Sequence, residues 1–149
     1  MQNNKNSKQT TLAIIKPDSM AGKNAGKILA HLESAGFDII GAKVLHLDED
    51  RAGLFYEEHR GKEFYGPLIE FMTSGPVMVL ALAGEEAVAG LRRIIGATDP
   101  ADAGPGTVRK LYAESKRRNA IHASDSEASA RRELAFFFSP DELIAGGPE

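Results

Sequence analysis

Residues 76–83, Pro76-Val77-Met78-Val79-Leu80-Ala81-Leu82-Ala83, form an apolar run of strand length that no polar residue interrupts. A strand with this pattern has no face to show to water, so it belongs inside a sheet that is covered on both sides. The rest of the chain must supply that cover.

It does so in a regular order. Residues 10–15 read as a strand stopped by Pro17, and residues 25–35 carry Ile28, Leu29 and Leu32 at helical spacing before Gly36 ends the pattern. Residues 37–47 return to Ile, Val and Leu at strand length, and Asp48-Glu49-Asp50 then provides the acidic first turn of a short helix carrying Phe55, Tyr56 and His59. A second short helix spans residues 64–72. After the buried strand, residues 85–95 are helical through Val88, Leu91 and Ile95. Residues 96–106 hold three glycines and two prolines, the composition of an irregular loop with a function. A short helix from Thr107, a strand ending at His122 and a helix over 124–138 complete the chain. Ser124 followed three residues later by Glu127 reads as the capping box of that last helix. The core order is βαββαβ, an α+β fold of the ferredoxin-like split type: a four-stranded antiparallel sheet covered by helices, with a Gly/Pro loop before the last strand.

Composition narrows the function. The chain has 149 residues, 42% hydrophobic and 26% charged, which suits one domain over 1–149 with a flexible polar tail at 1–9 and a short C-terminal tail at 139–149. A net charge of −3 gives no overall attraction for a nucleic acid. The absence of cysteine excludes disulfides and thiolate metal sites and points to a reducing compartment, the cytoplasm. The N-terminal segment lacks an apolar stretch of signal-peptide type, and the longest apolar run is far too short to span a bilayer.

Two glycine motifs are decoys. Gly22-Lys23-Asn24-Ala25-Gly26-Lys27-Ile28 is one residue short of a phosphate-binding P-loop and has Ile28 where a Ser or Thr is required. Gly104-Pro105-Gly106 places Arg109 at the third glycine of the dinucleotide fingerprint. The chemistry lies instead at two strand ends, Lys16-Pro17-Asp18 and Asn119-Ala120-Ile121-His122. An imidazole beside a helix mouth is a good phosphoryl acceptor when one nitrogen attacks and the other donates to an orienting group. Glu133, on the following helix, is a candidate orienter.

The motifs His122-Ala-Ser-Asp-Ser126, Leu12-Ala-Ile-Ile-Lys-Pro-Asp18, Phe55-Tyr56, Phe71-Met-Thr-Ser-Gly-Pro76, Gly96-Ala-Thr-Asp-Pro-Ala101 and Pro105-Gly-Thr-Val-Arg109, with Asn119, resemble the nucleoside diphosphate kinases in content and order over residues 10–138. The resemblance implies that His122 is transiently phosphorylated on its pros nitrogen with Glu133 supporting it. It implies a ping-pong transfer of the γ-phosphate from a nucleoside triphosphate to a diphosphate, maintaining NTP and dNTP pools. Arg92, Thr98 and Arg109 are implied to hold phosphates, with Arg92 chosen over Arg93 by the resemblance because helix spacing does not separate them. Lys16 and Asn119, which could merely close strand ends, are implied to reach the ribose hydroxyls. Phe64, a core residue on spacing alone, becomes the platform for the base, and stacking of that kind tolerates every base. Tyr56 is either a hydroxyl donor near the imidazole or a buried tyrosine with a structural bond.

Further expectations follow. No carboxylate cluster with metal spacing is evident, so the Mg²⁺ implied by the resemblance travels on the nucleotide without a direct protein ligand, Asp125 being the closest candidate for an indirect contact. The family forms homo-oligomers built from dimers, tetramers or hexamers. Two departures stand out: Ala123 where glycine is usual, strained if the backbone there needs a positive φ, and Lys116 where relatives offer an apolar contact to the base. A non-catalytic regulatory module on the same fold is the rival reading, opposed by the intact Lys16, Arg109, Asn119 and His122. A nucleic-acid site would use Phe64 and Lys116-Arg117-Arg118, but that run is short and adjoins acidic Glu114.

Overall fold

The computed structural model describes residues 8–144. Four strands, β1 (Gln9–Ile15), β2 (Asp38–Leu45), β3 (Val77–Gly84) and β4 (Ile121–Ala123), form one sheet in the order β2-β3-β1-β4. Every neighbouring pair is antiparallel. Among the described residues the seven α-helices are α1 (Pro17–Ala21), α2 (Ala25–Ser34), α3 (Glu49–Phe55), α4 (Tyr65–Met72), α5 (Ala87–Ile95), α6 (Val108–Tyr112) and α7 (Glu127–Phe137). The α+β split topology expected from the sequence is therefore the observed one. The loop at 96–106 contains no helix or strand.

Alternation along β1 and β3 divides the core in two. Leu12, Ile14, Val77, Val79 and Ala81 meet Phe55, Tyr56, Met72, Leu134 and Phe137 from α3, the turn after it, α4 and α7. Ala13, Ile15, Leu80 and Leu82 meet Ile28, Leu32, Leu91 and Ile95 from α2 and α5. β3 is covered on both faces, which is why its sequence has no polar alternation. β4 pairs with β1 through Ala13↔Ala123, Ile14↔His122 and Ile15↔Ile121. Ile121 and Ala123 lie in the α2/α5 core, so His122 is turned to the face of α3 and α7.

Three local expectations change. Pro17 does not merely stop β1; it occupies the first turn of α1, where its missing N–H is no loss. Ser126, not Ser124, caps α7, its hydroxyl accepting from the Ser129 amide at 3.0 Å. The Ser124-x-x-Glu127 pattern is thus not a capping box, because the chain is still extended at Ser126 (φ −160°). The ordered fold also reaches further at both ends than the proposed tails allow. Gln9 opens β1 and accepts from the Val88 amide at 2.9 Å. A 3-10 turn, Pro140–Glu142, leads to Ile144, whose amide donates to Ile40 O at 3.0 Å. What remains of both tails lies outside the described residues. Ser126→Ala should lower stability by about 1 kcal/mol in urea denaturation, the usual loss for a hydroxyl cap. An unchanged midpoint would remove Ser126 from that role.

Candidate active site

His122 is half-buried near the middle of a polar and aromatic shell. Its Nε2 lies 2.9 Å from Glu133 Oε1, and the Ser124 hydroxyl donates to the same oxygen at 2.7 Å. Glu133 is only 6% exposed. Burial works to raise its pKa, but the bond and charge of His122 and the Ser124 hydroxyl outweigh it and hold the carboxyl below its ordinary value. Glu133 is therefore a carboxylate that accepts, so in the neutral ring Nε2 carries the proton and Nδ1 keeps its lone pair. The spacing of α7 brings this about. Ser126 starts the helix, and two turns later Glu133 looks back along it to the strand it came from.

The Lys16 ammonium donates to Asn119 Oδ1 at 2.8 Å across 103 residues of sequence, and Asn119 Nδ2 approaches Thr98 O at 3.4 Å. Burial first, and the nearby Arg109 charge second, lower the Lys16 pKa to about 8. Arg109 donates through Nε to Asn119 O at 3.2 Å, through one terminal nitrogen to Gly96 O at 3.1 Å and through the other to Ile121 O at 2.6 Å. Each terminal nitrogen keeps a second N–H for another acceptor. Burial and then Arg92 reduce the Arg109 pKa to about 10, which leaves it charged at neutral pH. Arg92 is exposed and reaches Ala123 O at 3.5 Å, the outer limit of a hydrogen bond, whereas Arg93 makes no such contact. The structure thus brings Lys16, Arg92, Thr98, Arg109 and Asn119 to the strand end that carries His122. Gly96 is required here: its φ is +89°, and a Cβ would fall 2.6 Å from the Thr107 hydroxyl.

The condition for strain at Ala123, a positive φ, is not met. Ala123 lies within β4, while Ala120 has a φ of 78°. The Ile121 amide donates to Asn119 O at 2.9 Å, closing a three-residue γ-turn around Ala120. Lys16 N donates to Ala120 O at 2.9 Å, and Asp18 Oδ2 accepts from Ala120 N at 3.0 Å. Asp18 Oδ1 is buried without a partner, and burial raises the Asp18 pKa against the opposing pull of the Ala120 amide and Lys16.

On the other side of His122 the site is aromatic. Phe55 and Tyr56 meet the imidazole edge-on, with ring centroids at 5.4 Å and 6.1 Å. The Tyr56 hydroxyl is buried without a partner, and burial, then Glu133, push its pKa up, so it remains a neutral donor. It has no structural hydrogen bond among the described residues. His59 stacks on Tyr56 at 6.3 Å and meets Phe64 at 5.2 Å, its Nδ1 also buried and unpartnered. Phe64 is 45% exposed, so it is not the core residue its spacing allows. Lys116 is exposed as well. Sequence reasoning missed the parts played by Phe55, His59, Ser124 and Asp18. The only available signal was their presence inside or beside the quoted motifs, since spacing does not reveal a contact made across the fold. Asp125 is exposed; the Ser129 hydroxyl first, and then Arg92 and His122 against the effect of its partial burial, hold its pKa low.

Among the described residues no three His, Asp or Glu side chains converge on one point, and no helix is long and apolar enough to cross a membrane. The profile of the family described as nucleoside diphosphate kinase matches residues 9–143. A nucleoside diphosphate kinase of Actinobacillus pleuropneumoniae serotype 5b is 50% identical over 136 residues, covering 91% of this chain and 99% of that protein. One from Psychromonas ingrahamii is 51% identical over 135 residues, covering 91% and 94%. The crystal structure of the Aquifex aeolicus nucleoside diphosphate kinase aligns with a TM-score of 0.91 at 42% identity, over 93% of this chain and 100% of that one. The Halobacterium salinarum enzyme in complex with CDP aligns with a TM-score of 0.91 at 37% identity, over 96% and 95%. With the motifs, the topology and these matches in agreement from Gln9 to Leu143, the chain belongs to the nucleoside diphosphate kinase family and is an enzyme of that class.

Proposed function

We propose that the chain moves the γ-phosphate of a nucleoside triphosphate to a nucleoside diphosphate through a phosphohistidine at His122, and so maintains NTP and dNTP pools. The observation that carries this reading is the Nε2 contact to Glu133, which leaves Nδ1 as the free nucleophile. The Nδ1 lone pair attacks the γ-phosphorus, the bond to the bridging oxygen breaks, and its electrons leave on the diphosphate. The same site then runs in reverse with another diphosphate. Glu133 stabilises the ring as it becomes cationic, and the Tyr56 hydroxyl, with no acceptor of its own, can donate to an oxygen of the transferring group.

The remaining residues divide the nucleotide between them. Arg92, Arg109 and Thr98 hold phosphates, where the spare N–H groups of Arg109 suit oxygens of dispersed charge. Lys16 and Asn119, already joined to one another, take the ribose hydroxyls. Phe64 is the base platform, and His59, between Phe64 and Tyr56, lies on the path from base to nucleophile. The CDP bound by the Halobacterium salinarum relative is consistent with a nucleotide site that also accepts pyrimidines. Mg²⁺ enters as the nucleotide's own ion, held by phosphate oxygens, with Asp125 as an indirect contact. When bound it neutralises polyphosphate charge. The reading includes one kinase unit over the described fold, a homo-oligomer built from dimers, and a cytoplasmic site consistent with the cysteine-free sequence.

Incubation with γ-labelled triphosphate and Mg²⁺ should leave acid-labile label on the protein, none on His122→Ala, and any added diphosphate should discharge it. A protein that takes no label would favour the non-catalytic module. Glu133→Gln should slow single-turnover phosphorylation roughly 10- to 100-fold with nucleotide affinity nearly unchanged, as for other groups that orient a histidine. An unaltered rate would withdraw the orienting role.

The depressed Lys16 pKa gives a pH dependence whose sign is fixed. Below about 8 Lys16 is charged and can donate to the ribose; above it the ammonium is lost in the free enzyme while Arg109, at about 10, stays charged. The kcat/KM profile should fall as pH rises through about 8, and Lys16→Gln should flatten that limb from a lower plateau. An identical alkaline limb in Lys16→Gln would assign it to another group.

A further inference from the structure

We propose that Asp18 is a positioning residue for phosphoryl transfer: by accepting from the Ala120 amide it holds the positive-φ turn that sets Asn119 and His122 at their working separation. The inference rests on the phosphohistidine reading for its consequence, but not for its geometry.

A γ-turn with its centre at positive φ is strained for any residue with a Cβ, and persists only where the surroundings over-determine it. Two groups do so here, and both belong to one short segment. Lys16 N–H takes the Ala120 carbonyl and Asp18 Oδ2 takes the Ala120 amide, at 2.9 and 3.0 Å. Ala120 itself is fully buried among apolar side chains of the α2/α5 core, and its amide has no other partner among the described residues. With the carboxylate removed, that N–H would be orphaned in an apolar site, and nothing would offset the steric strain that a return of Ala120 to negative φ relieves.

Such a relaxation would not stay local. Asn119, on one side of the turn, is bound to Lys16 and to Thr98, and its carbonyl accepts from both Ile121 N and Arg109 Nε. Ile121, on the other side, accepts from the opposite end of the same guanidinium. β4 is three residues long and has β1 as its one strand neighbour, so it has little pairing of its own to resist a rotation of its first residue. The turn therefore sets Asn119, Arg109 and His122 relative to one another. Asp18 is 5% exposed and sits on α1, where its accepting oxygen is already spent on the backbone, so it acts through the turn.

The test compares Asp18→Ala and Asp18→Asn, each with and without Ala120→Gly, by the rate of His122 phosphorylation at saturating γ-labelled triphosphate. Asp18→Asn keeps an acceptor for the Ala120 amide and should remain within about threefold of the unsubstituted protein, whereas Asp18→Ala should lose about tenfold or more, the scale expected for sub-ångström misplacement of reacting groups. Glycine adopts positive φ without steric cost, so in the Ala120→Gly background Asp18→Ala should lose less than about threefold. A merely structural contact would not be rescued in this way. Equal rates for Asp18→Ala and the unsubstituted protein would overturn the proposal, as would a loss in Asp18→Ala that Ala120→Gly leaves unchanged. Should Asp18→Ala fail to fold, Asp18→Ser, too short to reach the amide, carries the same comparison. Hydrogen exchange at the Ala120 amide separates this idea from the reaction it serves, and Asp18→Ala should accelerate it about 100-fold or more. Absence of label on the unsubstituted protein would overturn the phosphohistidine reading alone, while unchanged exchange in Asp18→Ala would overturn the clamp alone.

Discussion

The antiparallel pairing of β4 with β1 is the interaction on which the site depends. β4 contributes only three residues, yet its register puts His122 beside Ile14 and leaves Asn119 next to Lys16. Two segments about a hundred residues apart in the chain thereby become one polar surface. The strand is too short to be held by its ladder alone. Its position is reinforced from both sides, by Arg109 on the backbone carbonyls of Asn119 and Ile121 and by Lys16 and Asp18 on Ala120. The buried sheet that supports it is ordinary hydrophobic packing, but the polar groups at the strand end decide which atoms meet.

Burial and charge act together at this end of the sheet. Lys16, Arg109, Asp18 and Glu133 are all buried, and each bears a pKa displaced from its ordinary value. Desolvation is the largest influence in every case, and what differs is how far a partner opposes it. Glu133 has two donors on one oxygen and ends below its ordinary value; Asp18 has one backbone donor and an unpartnered oxygen and ends above it. Cationic side chains that are already desolvated and partly bonded cost little further reorganisation when an anion arrives, which is the condition under which they stabilise a charged transition state well. Tyr56 and His59 add buried polar atoms with no partner among the described residues, so the site retains hydrogen-bonding capacity that the described fold does not consume.

Much of this was legible in the residues. The uninterrupted apolar run at 76–83 required a doubly covered strand, and the alternation of strand and helix patterns led to the split α+β topology that is observed. Contacts across the fold link the motif residues: Lys16 to Asn119, Asn119 to Arg109 and to the Thr98 carbonyl, Arg92 to the Ala123 carbonyl, and His122 to Glu133 and Tyr56. Ser124 was legible only wrongly. The Ser-x-x-Glu spacing fits a capping box, but two serines compete for the cap, and the chain stays extended until Ser126. Ala123 would be strained only at a positive φ, and the positive φ lies at Ala120 instead: sequence shows which residue is unusual for its family, whereas the sign of φ follows from which carbonyl and amide are captured from elsewhere in the fold.

Sequence alone therefore determined the succession of elements, the family and the types of side chain available for chemistry, because periodicity, turn residues and motif order are local properties of the chain. Tertiary structure decided the rest. The contact between His122 and Glu133, the Ser124 hydroxyl on the same oxygen, the bonds of Arg109 to the Asn119 and Ile121 carbonyls and the bond from the Ala120 amide to Asp18 are contacts between elements. Their geometry is set by the register of a three-residue strand and by burial, and neither is encoded in the spacing of any one segment.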